Sequence, residues 1–227
     1  MHQIIVNDYQ NYLKPKEKSE LLNKFQKNSK LIMQTLNLTN DFPVMNFYLF
    51  PSEEVKIQET GEDGYAETDN DAFSVYMVYN DNIKPTGPHE QVHLLTHHLG
   101  TPNFVFFDGL AEYFEPDWRI DIAGERVRLS HDNWVRRFIK EGSYIKIENL
   151  FDDYKFWDLD QTATISYAES GAFIKYLVNK YGIKKVMEAY GRMERRPVDP
   201  MHNYKVFKDV FNISLGEAED NWLKILK

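Results

Sequence analysis

Two histidines four residues apart constrain this chain more than any other feature of its sequence. His89 and His93 lie in the stretch PHEQVHLLTHHLG, which runs from Pro88 to Gly100. Proline is favoured in the first turn of a helix and glycine just after its end, so these bounds predict a helix. Residues four apart share a helix face, so both imidazoles can point at one metal ion. Glu90 is then placed to take a proton from a water on that ion.

The same spacing also fits a helix with two buried, hydrogen-bonded histidines and no metal, so a third ligand is needed to distinguish the two interpretations. Zinc sites that hydrolyse bonds use three protein ligands and leave one position open for water. The chain has no cysteine, so its ligands must be histidines or carboxylates. The segment FVFFDGLAEYFE, residues 104–115, predicts a second helix on which Asp108 and Glu112 share a face.

Composition limits the classes of partner. With 42% hydrophobic and 15% aromatic residues among 227, the chain can bury a sizeable core. The net charge of −8 and the lack of a basic stripe exclude nucleic acid as a partner. No apolar run approaches the roughly 20 residues of a membrane span. The start, MHQIIVNDYQ, has no signal-peptide pattern and predicts a cytoplasmic protein, although a removed signal peptide would leave secretion open. The sequence predicts no oligomeric state.

Hydrophobic periodicity predicts an α+β fold. We expect an N-terminal α/β lobe, about residues 1–100, with a small mixed sheet and helices. An all-helical C-terminal lobe, about residues 101–227, would complete a single domain. The β-prone segment 72–79 could be a sheet edge that pairs with a peptide or an ordinary sheet strand.

Together these motifs resemble the gluzincin metallopeptidases, the group of thermolysin and the zinc aminopeptidases. In that group HExxH is followed by a helix with the pattern W-x-x-E-G-L-A-E-Y, which FDGLAEYF resembles. A further segment, SYAESGAFIKYL, is similar to the aminopeptidase segment that carries an oxyanion-binding tyrosine. The positions that keep its register are Tyr167, Ser170, Tyr176 and Leu177. The closing helices are similar too, so the resemblance covers roughly residues 44–226.

The resemblance implies a zincin-like domain that hydrolyses peptide bonds with one zinc ion per chain. His89 and His93 would be zinc ligands and Glu90 the general base. Asp108 stands where the family has a glutamate ligand and is one methylene shorter. The resemblance favours Asp108 as third ligand, with Glu112 hydrogen-bonded to the free nitrogen of His89. The reverse order, with Glu112 as the ligand, stays open.

The resemblance also implies that Tyr167 stabilises charge on the carbonyl oxygen of the substrate. A tyrosine simply packed in its helix is the alternative. A peptide or protein substrate is expected in the cleft between the lobes, along strand 72–79, with endopeptidase or aminopeptidase action unresolved. Two other functions stay open: a catalytically silent binding or structural protein, which the aspartate at position 108 suggests, and a zinc hydrolase of a non-peptide amide.

Other ionisable residues are predicted to lie outside the site. His97 continues the histidine row but lies one helical turn, about 6 Å, further on. Glu169 is expected to be a solvated helical glutamate, although it could be a site acid. Glu67 is a weak candidate for binding a substrate amine, and Asp63 or Asp69 would serve as well. No role follows from the sequence for His2, His98, His131 or His202.

Overall fold

The computed structural model describes residues 3–39, 41–85, 87–122, 125–160 and 164–226. These residues form an α+β fold with eleven α-helices and a mixed sheet of four strands, which confirms the predicted fold class. The chain divides into two compact units, Met1–His97 and His98–Lys227. Within the described ranges, we find no helix whose length and apolar character would let it span a bilayer.

The first unit combines the mixed sheet with three α-helices. Its elements are β1 (Ile4–Asp8), α1 (Pro15–Leu36), β2 (Met45–Phe50), α2 (Glu53–Thr60), β3 (Ala66–Asp69), β4 (Ser74–Val78) and α3 (His89–Thr96). The strand order is β1-β2-β4-β3, with β1, β2 and β4 parallel and β3 antiparallel to β4. Apolar residues of β2 alternate toward α1, where the ring of Phe47 stacks on Phe25 at 3.9 Å.

Strand β4 lies inside the sheet and not at its edge. Because β2 and β3 pair with its two sides, a substrate cannot add a strand along residues 72–79, and that prediction is wrong. Strand β3 is the edge strand next to β4, and its sequence, AETD, is mostly polar. All four residues of β3 are only half-buried, so its stability comes from pairing with β4 and not from an apolar pattern.

In the described part of the second unit there are eight α-helices and a two-stranded antiparallel sheet. Its elements are α4 (Phe104–Phe114), β5 (Trp118–Ile122), β6 (Glu125–Leu129), α5 (His131–Glu141), α6 (Ile147–Leu150), α7 (Asp153–Leu159), α8 (Thr164–Tyr181), α9 (Ile183–Arg192), α10 (His202–Phe211) and α11 (Leu215–Leu226). The expectation of an all-helical lobe is therefore wrong. Strands β5 and β6 read WRIDI and ERVRL, and this alternation of apolar and charged residues has the period of a strand.

Helix α8 is the centre of the second unit, and α4 packs tightly against it. Two glycines, Gly109 of α4 and Gly171 of α8, allow this approach. A Cβ added to Gly109 of α4 would lie 2.8 Å from Cγ1 of Ile174 and 2.9 Å from the carbonyl oxygen of Ser170. The glycine of the DGLAEY motif is thus required by helix packing.

Candidate metal centre

Helix α3 holds the HExxH residues in a fixed orientation. Gln91, inside the motif, is fully buried. Its side-chain Nε2 donates hydrogen bonds to the carbonyl oxygen of Phe25, at 2.9 Å, and to Oγ of Ser29, at 2.6 Å. Both acceptors belong to α1, so these bonds fix the rotation of α3 about its axis. In that orientation the Nε2 atoms of His89 and His93 lie 3.1 Å apart.

The spacing of the two imidazole nitrogens is close to that of two ligands of one metal ion. Two imidazole nitrogens that bind one tetrahedral ion at about 2.0–2.1 Å lie roughly 3.4 Å apart, close to the spacing of this pair. A ligand atom of Asp108 completes a group of three that all lie within 4.8 Å of one another. His93 and Asp108 are buried and His89 is half-buried. Two histidines and one carboxylate are the protein ligands of many catalytic zinc sites.

The first turn of α4 is fixed by side chains that satisfy its backbone N–H groups. The side-chain oxygen of Asn103 accepts a hydrogen bond from the N–H of Phe106, as expected of a helix cap. The buried carboxylate of Asp153 accepts the N–H of Phe104 at 2.8 Å. Burial raises the pKa of Asp153, although this N–H donor acts in the opposite direction. These bonds hold the helix that carries Asp108.

Glu112 lies one turn after Asp108 and has a different partner. It is fully buried, and its Oε2 lies 2.7 Å from Nε2 of His131, the first residue of α5. An ionised carboxylate only accepts hydrogen bonds, so Nε2 of His131 is the donor. No role for His131 was predicted, because its partner Glu112 lies nineteen residues away in the chain. A hydrogen bond from the ring N–H of His89 to Glu112 stays a prediction.

Tyr167 lies in the first turns of α8, which Asp160 caps. One carboxylate oxygen of Asp160 accepts the backbone N–H of Ser166 at 2.9 Å. Tyr167 is half-buried, and its ring centroid lies 6.4 Å from those of both Phe156 and Trp157. The two aromatic side chains of α7 therefore position the ring of Tyr167. The oxyanion role of its hydroxyl stays a prediction.

Glu169 is not the solvated residue that we expected. It is fully buried in α8, and its Oε1 accepts the backbone N–H of Ile145 at 3.0 Å. Burial raises its pKa well above the ordinary value, and the charges of Glu219 and Asp160 act in the same direction. The prediction failed because α8 is buried on most of its faces, which its own sequence does not indicate.

The raised pKa of Glu169 predicts a pH-dependent stability of the second unit. An unfolded chain releases this proton near pH 4–5, whereas the folded chain keeps it to higher pH. Between the two pKa values the free energy of unfolding therefore falls as pH rises, by at most about 1.4 kcal/mol per pH unit. Glu169→Gln should remove this loss. The free energy of unfolding of the variant, measured in urea, should therefore rise relative to that of the wild type between pH 5 and pH 8.

The control for this prediction is Glu217→Gln. Hydrogen bonds from the backbone N–H and the hydroxyl of Ser214 lower the pKa of Glu217, which is exposed. A lowered pKa stabilises the folded state at pH values above the pKa of the unfolded chain. The free energy of unfolding of this variant should therefore decrease relative to that of the wild type as pH rises. If the free energies of unfolding of both variants had the same pH dependence as that of the wild type, the raised pKa of Glu169 would be wrong.

The remaining predicted residues lie outside the metal-ligand group. His97 is exposed and lines a cleft of the first unit. Glu67 lies in the same cleft, but its carboxylate is 3.0 Å from Nζ of the fully buried Lys56. That contact makes Glu67 a counter-charge for Lys56, so Glu67 is a weaker candidate for binding the amine of a substrate. His202 lies at the surface, with Nε2 3.0 Å from the carbonyl oxygen of Arg192. His98 is exposed too, and His2 lies outside the described residues.

Comparison with known proteins found no match to this chain. The chain matches no protein-family model, no curated protein and no solved structure. The gluzincin resemblance therefore depends on the sequence motifs alone, and a function can be inferred only from the chemistry of the residues in the site.

Proposed function

We propose that this protein is a zinc-dependent peptidase of gluzincin type, with His89, His93 and Asp108 as the ligands of one zinc ion. The observation that supports this most strongly is the grouping of their three ligand atoms within 4.8 Å. Glu90 follows the first histidine directly, as a general base in HExxH requires.

The proposed chemistry divides between the metal and two side chains. Bound zinc would lower the pKa of the attacking water and polarise the scissile carbonyl. Glu90 accepts the proton of that water and passes it to the leaving amine. Tyr167 donates a hydrogen bond to the carbonyl oxygen as this oxygen gains negative charge. Both side chains are half-buried, so they combine fixed positions with access to a substrate.

The substrate that we propose is an extended peptide bound along β3. This strand ends the sheet, and α3 packs beside it. An edge strand offers backbone groups that a peptide can pair with. The cleft of the first unit, which includes residues of β3, is lined by several carboxylates, and this favours peptides with basic residues. Its acidic members are Glu59, Glu62, Glu67, Asp69 and Asp71.

Metal removal tests the proposal. We expect the purified protein to bind about one equivalent of zinc, measured by mass spectrometry, and to hydrolyse members of a peptide library rich in lysine and arginine. A chelator should abolish the hydrolysis, and one equivalent of zinc should restore it. His93→Ala should lose both properties, because it removes a ligand.

The matched control is His202→Ala, which changes a surface histidine of α10 and should keep both zinc and activity. A wild-type protein that binds no zinc at neutral pH, even after reconstitution, would defeat the proposal. Zinc binding without cleavage of any library peptide would favour the silent binding protein or a non-peptide amide substrate.

A further inference from the structure

Trp157 of α7 is an exposed tryptophan in the second unit. Among the tryptophans whose side chains the structure describes, Trp134 and Trp222 are 0% and 1% exposed, whereas Trp157 is 39% exposed. Exposed aromatic rings are frequent in binding surfaces, because they offer a large contact area at a low cost in conformational entropy. Single exposed apolar residues are also normal at a protein surface, so the neighbours of Trp157 have to distinguish the two cases.

Neighbouring side chains hold the ring of Trp157 in place. Its centroid lies 5.7 Å from that of Phe104 and 5.5 Å from that of Phe156, and both contacts are edge-to-face, a preferred geometry of aromatic pairs. Phe104 is held in turn by Arg195, whose guanidinium carbon lies 4.1 Å from the centroid of the phenylalanine ring. Because the tryptophan ring is fixed before a ligand arrives, binding to its exposed part costs little further ordering.

Trp157 also contacts the tyrosine that is proposed to bind the substrate carbonyl. The centroids of the Trp157 and Tyr167 rings are 6.4 Å apart, and the two ring planes meet at 64°. In the proposed reaction the hydroxyl of Tyr167 donates a hydrogen bond to the oxygen of the cleaved peptide bond. Consecutive residues of an extended peptide are about 3.3–3.4 Å apart, so the two residues that flank this bond lie close to Tyr167 and therefore to Trp157.

We propose that Trp157 is a specificity-determining residue, which binds an aromatic side chain of the peptide substrate at one of the two positions that flank the cleaved bond. This inference rests on the proposed peptidase function and on the role of Tyr167 in it. It adds a second requirement to the substrate, because the carboxylates of the cleft select positive charge, whereas an exposed indole ring selects an apolar ring. An aromatic side chain is favoured over an aliphatic one, since ring pairs gain more than their buried area alone provides.

Matched peptides test the inference. In one library peptide that the wild type cleaves, each of the two residues that flank the cleaved bond is changed separately to phenylalanine and to alanine. At one of these positions, kcat/KM for the phenylalanine peptide should exceed that for the alanine peptide at least about tenfold. Trp157→Ala should abolish this preference, whereas Trp157→Phe keeps an aromatic ring and should retain most of it.

The matched control is Tyr154→Ala, which removes another exposed aromatic ring of α7. Tyr154 is 67% exposed, and its ring centroid lies 5.4 Å from the guanidinium carbon of Arg196. This variant should keep the preference of the wild type. Trp157 could also act only by supporting Tyr167. In that case Trp157→Ala would slow cleavage of the phenylalanine and alanine peptides by the same factor, and that result would overturn the inference.

The outcomes separate this inference from the proposed function. If the wild type cleaves no peptide, both fail. If it cleaves peptides but prefers phenylalanine at neither position, or if Trp157→Ala keeps the preference, only the role of Trp157 is wrong. Binding without cleavage gives an independent answer in the Glu90→Gln variant. There the phenylalanine peptide should bind more tightly than the alanine peptide, and adding Trp157→Ala should make the two affinities equal.

Discussion

Glu90→Gln is expected to reduce peptide hydrolysis roughly 10²–10⁴-fold while zinc binding stays unchanged. The substitution keeps the size and shape of the side chain but removes the ability to accept and return a proton. Glu90 is not one of the three grouped ligand residues, so the metal should remain. Zinc content by mass spectrometry and kcat/KM on one cleaved peptide measure the two effects in the same preparation.

The control for this variant is Glu20→Gln, which makes the same chemical change on the surface of α1. The side chain of Glu20 is 66% exposed and pairs only loosely with Lys16, at 3.8 Å. Exposed pairs of this kind contribute little to stability, so activity should equal that of the wild type. Full activity in zinc-loaded Glu90→Gln would mean that another group is the general base.

Gly171→Ala is expected to destabilise the fold by about 3 kcal/mol, the second large effect. The added methyl group would lie 2.6 Å from Cβ of Glu112, closer than real Cβ contacts allow. Glu112 cannot retreat easily, because it is fully buried and hydrogen-bonded to His131. Either α4 and α8 move apart or the pair breaks, and each leaves buried groups poorly packed. Urea unfolding of the zinc-free protein measures the loss.

Gly216→Ala is the matched control for this prediction. Gly216 also lies in a helix, α11, but a Cβ there would meet no atom within 4 Å. Alanine favours a helix over glycine, so this variant should equal the wild type or gain up to about 1 kcal/mol. Equal urea midpoints for Gly171→Ala and the wild type would show that α4 and α8 have room for the added methyl group. That result would contradict the close packing of the two helices.

Local patterns determined most helices correctly. The apolar pattern before Gly182 is that of a helix, and the structure has a helix over Thr164–Tyr181 that ends at Gly182, whose φ of 85° favours glycine. Serine followed by two glutamates is typical of a helix start, and Ser52 caps the observed helix Glu53–Thr60 with its side chain. Such features are set by residues a few positions apart, and for that reason a single sequence reveals them.

Pairings between distant segments were not predictable in the same way. Strand β3 exists because β4 pairs with it, and the burial of Glu169 depends on the helices that surround α8. The partner of Glu112 is His131, nineteen residues further along the chain. No periodicity links these residues, since their contacts form only when whole elements pack together.

For the candidate site, the sequence by itself determined the helical spacing of His89 and His93, the position of Glu90 beside them and the two acids available as a third ligand. These follow from the geometry of a single helix, in which residues four apart share a face. Only the tertiary structure grouped Asp108 with the histidines and paired Glu112 with His131. The physical reason is that both acids lie on one face of the same helix, whereas the groups that contact each carboxylate come from segments distant in the chain.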